Sequence, residues 1–270
     1  MKRSIIAGTV VMLVASFVFA GEASKDVKTF PAGKLAGITI NAGNGFIGVE
    51  GAAINSIEVE QLPGSAERYE VTMEVAGKEL VLKVRSKEHK EGHTGFKLNP
   101  PHGFPGGFHI RMPANLALNA SMRSGALEIS GLAGPVDIVN DSGITVLDDV
   151  SGDLTVKSKS GIIRGSVRSR KIGISGGGLV KLDGLTGALM LSNKTGSVDL
   201  RWALVPKTGI IDIKSGSGEV SLTFPANALI TPELHAVSGY VRNDFAGGAA
   251  GRLVSATVEH GSLSVLKAME

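Results

Sequence analysis

The chain has 270 residues, a formal net charge of +3, 43% hydrophobic residues and only 4% aromatic residues. This hydrophobic share is enough to bury a core, so the composition argues against an intrinsically disordered chain. The sequence contains no cysteine, which excludes a disulfide scaffold, a thiolate zinc site, an iron–sulfur cluster and a cysteine nucleophile. Its 37 glycines amount to about twice the usual share of roughly 7%.

Residues 1–20 have the pattern of a secretory signal peptide. Lys2 and Arg3 precede an apolar run from 5 to 19, and the small residue before Gly21 favours cleavage there. A membrane anchor is the weaker alternative, because the run of about 15 residues is shorter than the ~20 that a span needs. Cleavage lowers the formal charge from +3 to +1, so the basic pI is not evidence for nucleic-acid binding. We expect an exported chain, periplasmic or at the cell surface, with no transmembrane segment after cleavage.

The segment 21–112 is predicted to be a β region of irregular spacing. Between residues 36 and 85, hydrophobic residues alternate with polar ones in short runs, which is the pattern of strands that bury one face. Residues 86–107 then contain closely spaced Gly, Pro and His, which indicates a long exposed loop. We expect this loop to protrude from the fold without dividing it into two domains.

A nine-residue glycine repeat dominates the segment 113–267. One interval is a residue short and another contains a four-residue insertion, and the repeated glycines are Gly125, Gly134, Gly143, Gly152, Gly161, Gly178, Gly187, Gly196, Gly209 and Gly218. Apolar residues occupy the second and fourth positions after most of them, as Leu189 and Leu191 do after Gly187. Each repeat therefore predicts one short strand with one buried face.

Nine residues per strand and turn are too few for a helical crossover and too uniform for hairpins with varied loops. The repeat therefore predicts a β-solenoid, in which parallel strands stack on those of the next coil. Coils of two strands, with 18 residues, and coils of three strands, with 27 residues, both fit the period. An antiparallel sandwich or meander is the alternative architecture. We expect the solenoid to be continuous with the N-terminal β region.

The sequence contains a second repeat, which is longer than nine residues. Met-Pro-Ala-Asn at 112–115 leads to the Ser-Gly pair at 124–125, and Phe-Pro-Ala-Asn at 224–227 leads to the Ser-Gly pair at 238–239. Together with NAGNGFIGVEG near the mature N-terminus and the serial Ser/Thr-Gly turns, these motifs resemble the putative adhesin domain family of bacterial envelope proteins, over residues 34–267. The resemblance implies a right-handed, mostly parallel β-solenoid on exported proteins, with no established catalytic residues.

The predicted loop contains the residues most suggestive of a metal site. His89, Glu91 and His93 are candidate ligands for zinc or copper, with His102 and His109 nearby. Their H-x-E-x-H spacing is not the H-E-x-x-H of zinc proteases, and a solvated polar loop is the plainer interpretation. The G-G-x-G-x-D pattern of calcium-binding nonapeptide rolls is also missing. We therefore expect no metal and no cofactor.

Polysaccharide-cleaving β-helices need carboxylates that converge on one face. Here the predicted outward positions are mixed in chemistry and comprise Glu128, Asp137, Thr155, Lys181, Met190, Asp199, Asp212, Ser221 and Ser264. The sequence also has no nucleophile elbow, no P-loop and no dinucleotide-binding motif in the required context. We expect a noncatalytic protein, and a glycan lyase or hydrolase of the envelope is the alternative.

The stretch from 154 to 182 contains bases and no acidic residue. On stacked coils these side chains could form one positive stripe for an anionic ligand, and they are Lys157, Lys159, Arg164, Arg168, Arg170, Lys171 and Lys181. The alternative is that they only keep the surface and the strand edges solvated. The sequence favours an exported, noncatalytic envelope protein whose rigid solenoid binds a polymer or a protein, with self-association as a further option.

Overall fold

In a computed structural model of the chain, residues 27–87, 106–245 and 251–269 are described. They are almost entirely strand, with one helical turn, α1 (Ser65–Arg68), which confirms the predicted all-β class. The N-terminal strands are β1 (Val27–Pro31), β2 (Gly37–Ala42), β3 (Phe46–Ala52), β4 (Ser56–Gln61), β5 (Tyr69–Ala76), β6 (Glu79–Ser86) and β7 (Gly107–Pro113). The later strands are β8 (Ala117–Ser130), β9 (Val136–Val150), β10 (Leu154–Ser158), β11 (Ser160–Val167), β12 (Lys171–Gly176), β13 (Leu179–Leu185), β14 (Ala188–Thr195), β15 (Val198–Trp202), β16 (Ile211–Phe224), β17 (Ile230–Ser238), β18 (Val241–Asn243) and β19 (Arg252–Lys267). None of these segments forms an apolar helix of membrane-spanning length.

The strands stack in two rows of parallel strands. Leu154 of β10 pairs with Val136 of β9 on one side and with Ile172 of β12 on the other, and each partner is 18 residues away. One coil therefore consists of two strands, one in each row, and the three-strand alternative is wrong. Row 1 has the order β6, β2, β8, β9, β10, β12, β14, β16, β19, β17. Row 2 has the order β7, β3, β8, β9, β11, β13, β15, β16, β19, β18.

Two corners connect the rows. At the first corner the chain turns from row 1 into row 2, as β9 does at 140–143, and the long strands β8, β9, β16 and β19 pass through it. At the second corner the chain returns to row 1, as it does at 151–153 between β9 and β10. Because the long strands belong to both rows, the described strands form one continuous sheet. We number the coil positions 1 to 10, from β6 and β7 at one end to β17 and β18 at the other.

The order of the coils departs from the order of the chain at both ends of the stack. β2 and β3 occupy position 2, between β6/β7 and β8, and β19 occupies position 9, between β16 and β17/β18. The chain therefore skips one position after β7 and again after β16. Each skip uses a Pro-Ala-Asn turn of the longer sequence repeat. In the first turn the Leu116 N–H donates to the Pro113 carbonyl, and in the second the Ala228 N–H donates to the Pro225 carbonyl.

The two ends of the stack are covered differently. At position 1, β5 pairs antiparallel with β6, β4 pairs antiparallel with β7, and β1 extends the sheet beyond β4. At position 10, β17 and β18 pair with β19 on one edge, and within the described ranges no strand pairs with their other edge. The irregular N-terminal strands thus belong to the same sheet as the repeats and cover one end of it.

Aliphatic side chains from alternate strand positions fill the space between the rows. Leu189 is fully buried, whereas the next residue, Met190, is 60% exposed, so the predicted period of two is confirmed at this repeat. Near the C-terminal end the Trp202 ring stacks on Phe224 with 4.6 Å between the centroids, and Phe245 meets the edge of Phe224. These aromatic side chains pack in the core next to the four-residue insertion between Gly196 and Gly209.

Polar side chains interrupt the apolar core along the first corner. The buried members of this column are Asn140, Ser158, Asn193 and Ser215. The Asn193 amide donates to the carbonyl oxygens of Gly178, Thr195 and Gly196 at 3.1 to 3.3 Å. It therefore serves backbone acceptors that the glycine turns leave inside the core, where an unpaired carbonyl would be costly.

We expect Asn193→Ala to lower the free energy of unfolding by about 1–3 kcal/mol, because three carbonyl oxygens would each lose one hydrogen-bond donor in the core. The matched control is Asn44→Ala, since Asn44 is exposed and accepts one hydrogen bond from Ser86. A loss of less than about 0.5 kcal/mol is expected there. Urea unfolding measures both variants, and equal losses would contradict the role assigned to Asn193.

Candidate binding groove

A shallow groove crosses the outer surface of row 1 at positions 2 to 5. Two adjoining hollows of about 240 Å³ and 340 Å³ form it, and they share Asn41, Ser121 and Val139. Strands β2, β8, β9 and β10 supply its floor. The groove therefore runs along the stack, across strands that are about 4.8 Å apart.

Two columns of outward side chains line the groove, because the parallel register repeats each outward position from strand to strand. The first column consists of Thr39, Asn119, Asp137 and Thr155. The second column consists of Asn41, Ser121, Val139 and Lys157. Gly173 follows in the first column, and since it carries no side chain, the groove stays open toward position 6.

The lining offers several kinds of hydrogen-bonding group. The hydroxyls and amides both donate and accept, the Asp137 carboxylate accepts, and the Lys157 ammonium donates. Neither Asp137 nor Lys157 makes an ion pair within the described part of the chain, so both charges are available to a ligand. Val139, 41% exposed, adds an aliphatic contact in the middle of the groove.

The predicted outward positions divide between two surfaces. Row 1 carries Asp137, Thr155, Met190 and Asp212, and row 2 carries Glu128, Lys181, Asp199, Ser221 and Ser264. Inside the groove, Asp137 and Asp141 are four residues apart on β9, so their Cα atoms are at most about 13 Å apart, and Asp141 lies at the first corner. Glycoside hydrolases place their two carboxyl groups about 5–9.5 Å apart. Asp141 is also paired with Lys159 at 2.8 Å, so the groove presents no convergent carboxylate pair.

The seven bases of the predicted anionic-ligand stripe are spread over both rows and both corners. Lys157 lies in the groove on row 1, and Lys159 lies at the first corner. Arg164 and Lys181 are neighbours on row 2, where the Lys181 ammonium is 3.6 Å from the Asp199 carboxylate. Because consecutive strands alternate between the rows, bases that are close in sequence lie on opposite surfaces.

The second corner holds the other three bases, Arg168, Arg170 and Lys171. The Arg168 guanidinium forms an ion pair with Asp149 of the preceding coil. Arg170 and Lys171 are exposed, and no ion pair is found for either within the described ranges. An anionic-ligand site at this corner stays a prediction.

The metal candidates His89, Glu91 and His93 lie outside the described residues. His109 is described, and its Nε2 is 3.7 Å from the Glu50 carboxylate on row 2. Across residues 27–87, 106–245 and 251–269, no three His, Asp or Glu side chains are grouped closely enough to hold a metal ion.

The rows and the groove define an all-β protein of stacked parallel strands. The chain belongs to the family described as Toastrack DUF4097, whose model matches residues 80–262. This membership confirms the resemblance to the putative adhesin domain family. No protein with a curated description matches the sequence.

Three solved structures are distantly similar to the chain. A putative cell adhesion protein from Clostridium sporogenes is 9% identical with a TM-score of 0.33, and the match covers 91% of this chain and 99% of that one. A putative adhesin from Parabacteroides merdae is 12% identical with a TM-score of 0.35, covering 92% and 98%. A putative lipid binding protein from Parabacteroides distasonis is 13% identical with a TM-score of 0.32, also covering 92% and 98%.

Proposed function

We propose that the protein is an exported, noncatalytic protein of the bacterial cell envelope that binds an extended polymer in the groove of row 1. The signal-peptide pattern at residues 1–20 supports export. One observation carries the binding proposal: hydroxyl, amide, carboxylate and ammonium groups are aligned on four neighbouring strands.

The scaffold in this proposal is a right-handed β-solenoid with two strands per coil. The 18-residue parallel register supports a solenoid, in which each coil contacts only its neighbours. The groove side chains stand on strands paired on both edges, so their spacing is set by backbone hydrogen bonds. A ligand then binds without having to order loops, which lowers the entropic cost of association.

A surface polysaccharide fits the groove better than a protein partner does. Protein interfaces depend on buried aromatic and large apolar anchors, whereas the columns of this groove consist mainly of short polar side chains. A polysaccharide carries hydroxyl groups at regular intervals along an extended chain. It can therefore bond to side chains on successive strands, with Asp137 and Lys157 reaching its polar or charged substituents.

Affinity electrophoresis of the mature protein in gels containing neutral or acidic bacterial polysaccharides tests the proposal. We expect retardation by at least one polysaccharide, and Asn119→Ala or Asp137→Ala to raise the dissociation constant about ten-fold, since each removes about 1–1.5 kcal/mol of hydrogen bonding. Asp212→Ala is the matched control, because Asp212 occupies the same outward column at position 8, outside the groove. Equal effects of Asp137→Ala and Asp212→Ala would place binding elsewhere.

The alternative function, a glycan lyase or hydrolase, is tested on the same polysaccharides. We expect no release of reducing ends or unsaturated products during prolonged incubation, because Asp141, the other carboxylate of the groove, is engaged by Lys159 and paired acid–base chemistry needs two available carboxyl groups. Release that disappears in the Asp137→Ala variant would establish catalysis and overturn the noncatalytic proposal.

A further inference from the structure

The second corner at positions 7 to 10 exposes a group of large aliphatic side chains. They are Leu204, Ile210, Leu229 and Leu253, with exposures of 65%, 60%, 77% and 43%. Ile210 and Leu253 precede the paired residues Ile211 and Val254, so they lie side by side on neighbouring strands. The Leu229 carbonyl accepts a hydrogen bond from the Arg252 N–H at 2.8 Å, which places Leu229 beside the same strand.

The loop that presents Leu204 is held in a fixed conformation. The Arg252 guanidinium donates to three carbonyl oxygens of the loop, those of Pro206, Lys207 and Gly209. At the start of the loop, the Leu204 N–H donates to the Leu185 carbonyl at 3.3 Å. The four-residue insertion in the repeat thus builds an ordered projection that keeps a leucine in solvent.

The second corner is also basic, from position 5 onward. From Arg168 onward, its segments 168–171, 186–188, 203–210, 225–229 and 251–253 contain no acidic residue. They contain the bases Arg168, Arg170, Lys171, Lys207 and Arg252. Asp244, at the start of the last connection, is paired with Arg242 at 3.1 Å. Since Arg168 is paired with Asp149 and Arg252 serves the loop, the bases left for an external anion are Arg170, Lys171 and Lys207.

We propose that this basic–apolar corner, formed by the four exposed aliphatic residues and these three bases, docks on the surface of an anionic lipid bilayer. Exposed apolar groups of this kind mark interaction surfaces. At a bilayer, apolar side chains enter the boundary between headgroups and acyl chains while neighbouring Lys and Arg attract anionic lipids. The aliphatic residues follow one corner of the stack over about 14 Å, because adjacent coils are about 4.8 Å apart. Such an edge suits a broad, deformable surface, whereas a pocket would be needed to enclose a small ligand.

Sedimentation with vesicles tests the proposal on the mature protein. We expect binding to vesicles of phosphatidylglycerol and phosphatidylethanolamine and much weaker binding to phosphatidylcholine alone. Combining Arg170→Gln, Lys171→Gln and Lys207→Gln should lower the partition coefficient about 100-fold, since each base near an anionic surface strengthens binding about five-fold. Combining Leu204→Asn and Leu229→Asn should lower it at least ~10-fold through lost apolar burial.

Matched controls lie at the other end of the stack. Val75, 55% exposed on β5, is replaced in Val75→Asn. Lys28→Gln, Lys34→Gln and Lys78→Gln together change the net charge as much as the corner triple does, at exposed positions near the N-terminal cover. Both controls should leave vesicle binding within about two-fold of the unmodified protein, because those residues do not face the lipid.

Labelling identifies the face that meets the lipid. The chain has no cysteine, so Leu204→Cys and Val75→Cys each provide one attachment point for an environment-sensitive fluorophore. We expect a blue shift and quenching by brominated lipid for the label at 204 and neither effect at 75. Vesicle binding without a shift at 204 would overturn the proposal, as would equal binding to neutral vesicles. A concentration-dependent shift at 204 without vesicles would assign the corner to a second copy of the chain, and would overturn it too.

Discussion

Leu189→Asp is expected to lower the free energy of unfolding by at least about 4 kcal/mol, because an isolated carboxylate would be buried in an apolar core. Leu189 is fully buried in row 1 at position 7. It lies between Ile172 of β12 and Ile211 of β16, so the damage should reach both strands. Hydrogen exchange should show lost protection in β12 and β16 first, because coils at greater distance share no contact with residue 189.

The matched control is Met190→Asp, one residue further along the same strand. Met190 is 60% exposed on the outer surface of row 1, and its neighbour Asp212 is paired with Lys214 at 3.2 Å. We expect a loss of at most about 0.5 kcal/mol. Denaturant unfolding measures both variants. Similar losses would mean that the period-two alternation does not separate the core from the surface.

The strands and their buried faces were predictable from local sequence, because glycine spacing and alternation are properties of single repeats. The number of strands per coil was not. Gly125 and Gly143 lie at the first corner and Gly134 lies at the second, yet both corners select glycine. A nine-residue period therefore marks every turn without revealing when the chain returns to the same row. Only the pairing of residues 18 apart supplies that information.

The groove could not be predicted for the same reason, because the number of strands per coil was unknown. Asn119, Asp137, Thr155 and Gly173 are spaced by 18 residues and form one outward column. With the coil length unknown, Asp137 could not be separated from Glu128, which lies on row 2. The division of the predicted basic stripe between two rows and two corners has the same origin. Once two strands per coil are established, the sequence alone assigns each outward residue to a surface.

The exchanged coil order at the two ends could not be predicted from any local pattern. The Pro-Ala-Asn repeat was visible in the sequence, but nothing in these residues states that the strand after the turn lies two coil positions away. Each Pro-Ala-Asn turn leaves one coil position to be occupied by another segment of the chain. The strands β2/β3 fill the first gap, and β19 fills the second, where Val254, Ala256, Val258, Leu263 and Val265 are fully buried. The C-terminal strand β19 is thereby enclosed within the sheet, whereas β1 lies at the edge of the sheet beyond β4.

Gly196→Ala is expected to lower the free energy of unfolding by about 3 kcal/mol or more. Glycines form a continuous column along the first corner, consisting of Gly45, Gly125, Gly143, Gly161, Gly178, Gly196, Gly218, Gly261 and Gly239. Gly196 has a φ of +109° and a Cβ added to it would be 2.3 Å from the Gly178 carbonyl oxygen. Strained backbone of this kind costs about 1–3 kcal/mol, and the contact with a carbonyl of the neighbouring coil adds to it, because backbone paired on both edges cannot move aside.

Gly173→Ala separates this corner effect from a general dependence on glycine. Gly173 lies in the middle of β12, and an added Cβ would meet nothing within 4 Å. Because the substitution restricts the unfolded chain without straining the fold, it should raise the free energy of unfolding by about 0.4–1 kcal/mol. The two variants thus differ in sign, and thermal or urea unfolding distinguishes them. A loss at residue 173 as large as that at 196 would show that close coil contact is not what the corner glycines provide. Opposite signs would mean that the column of glycines permits the close approach of successive coils that the backbone hydrogen bonds of both rows require.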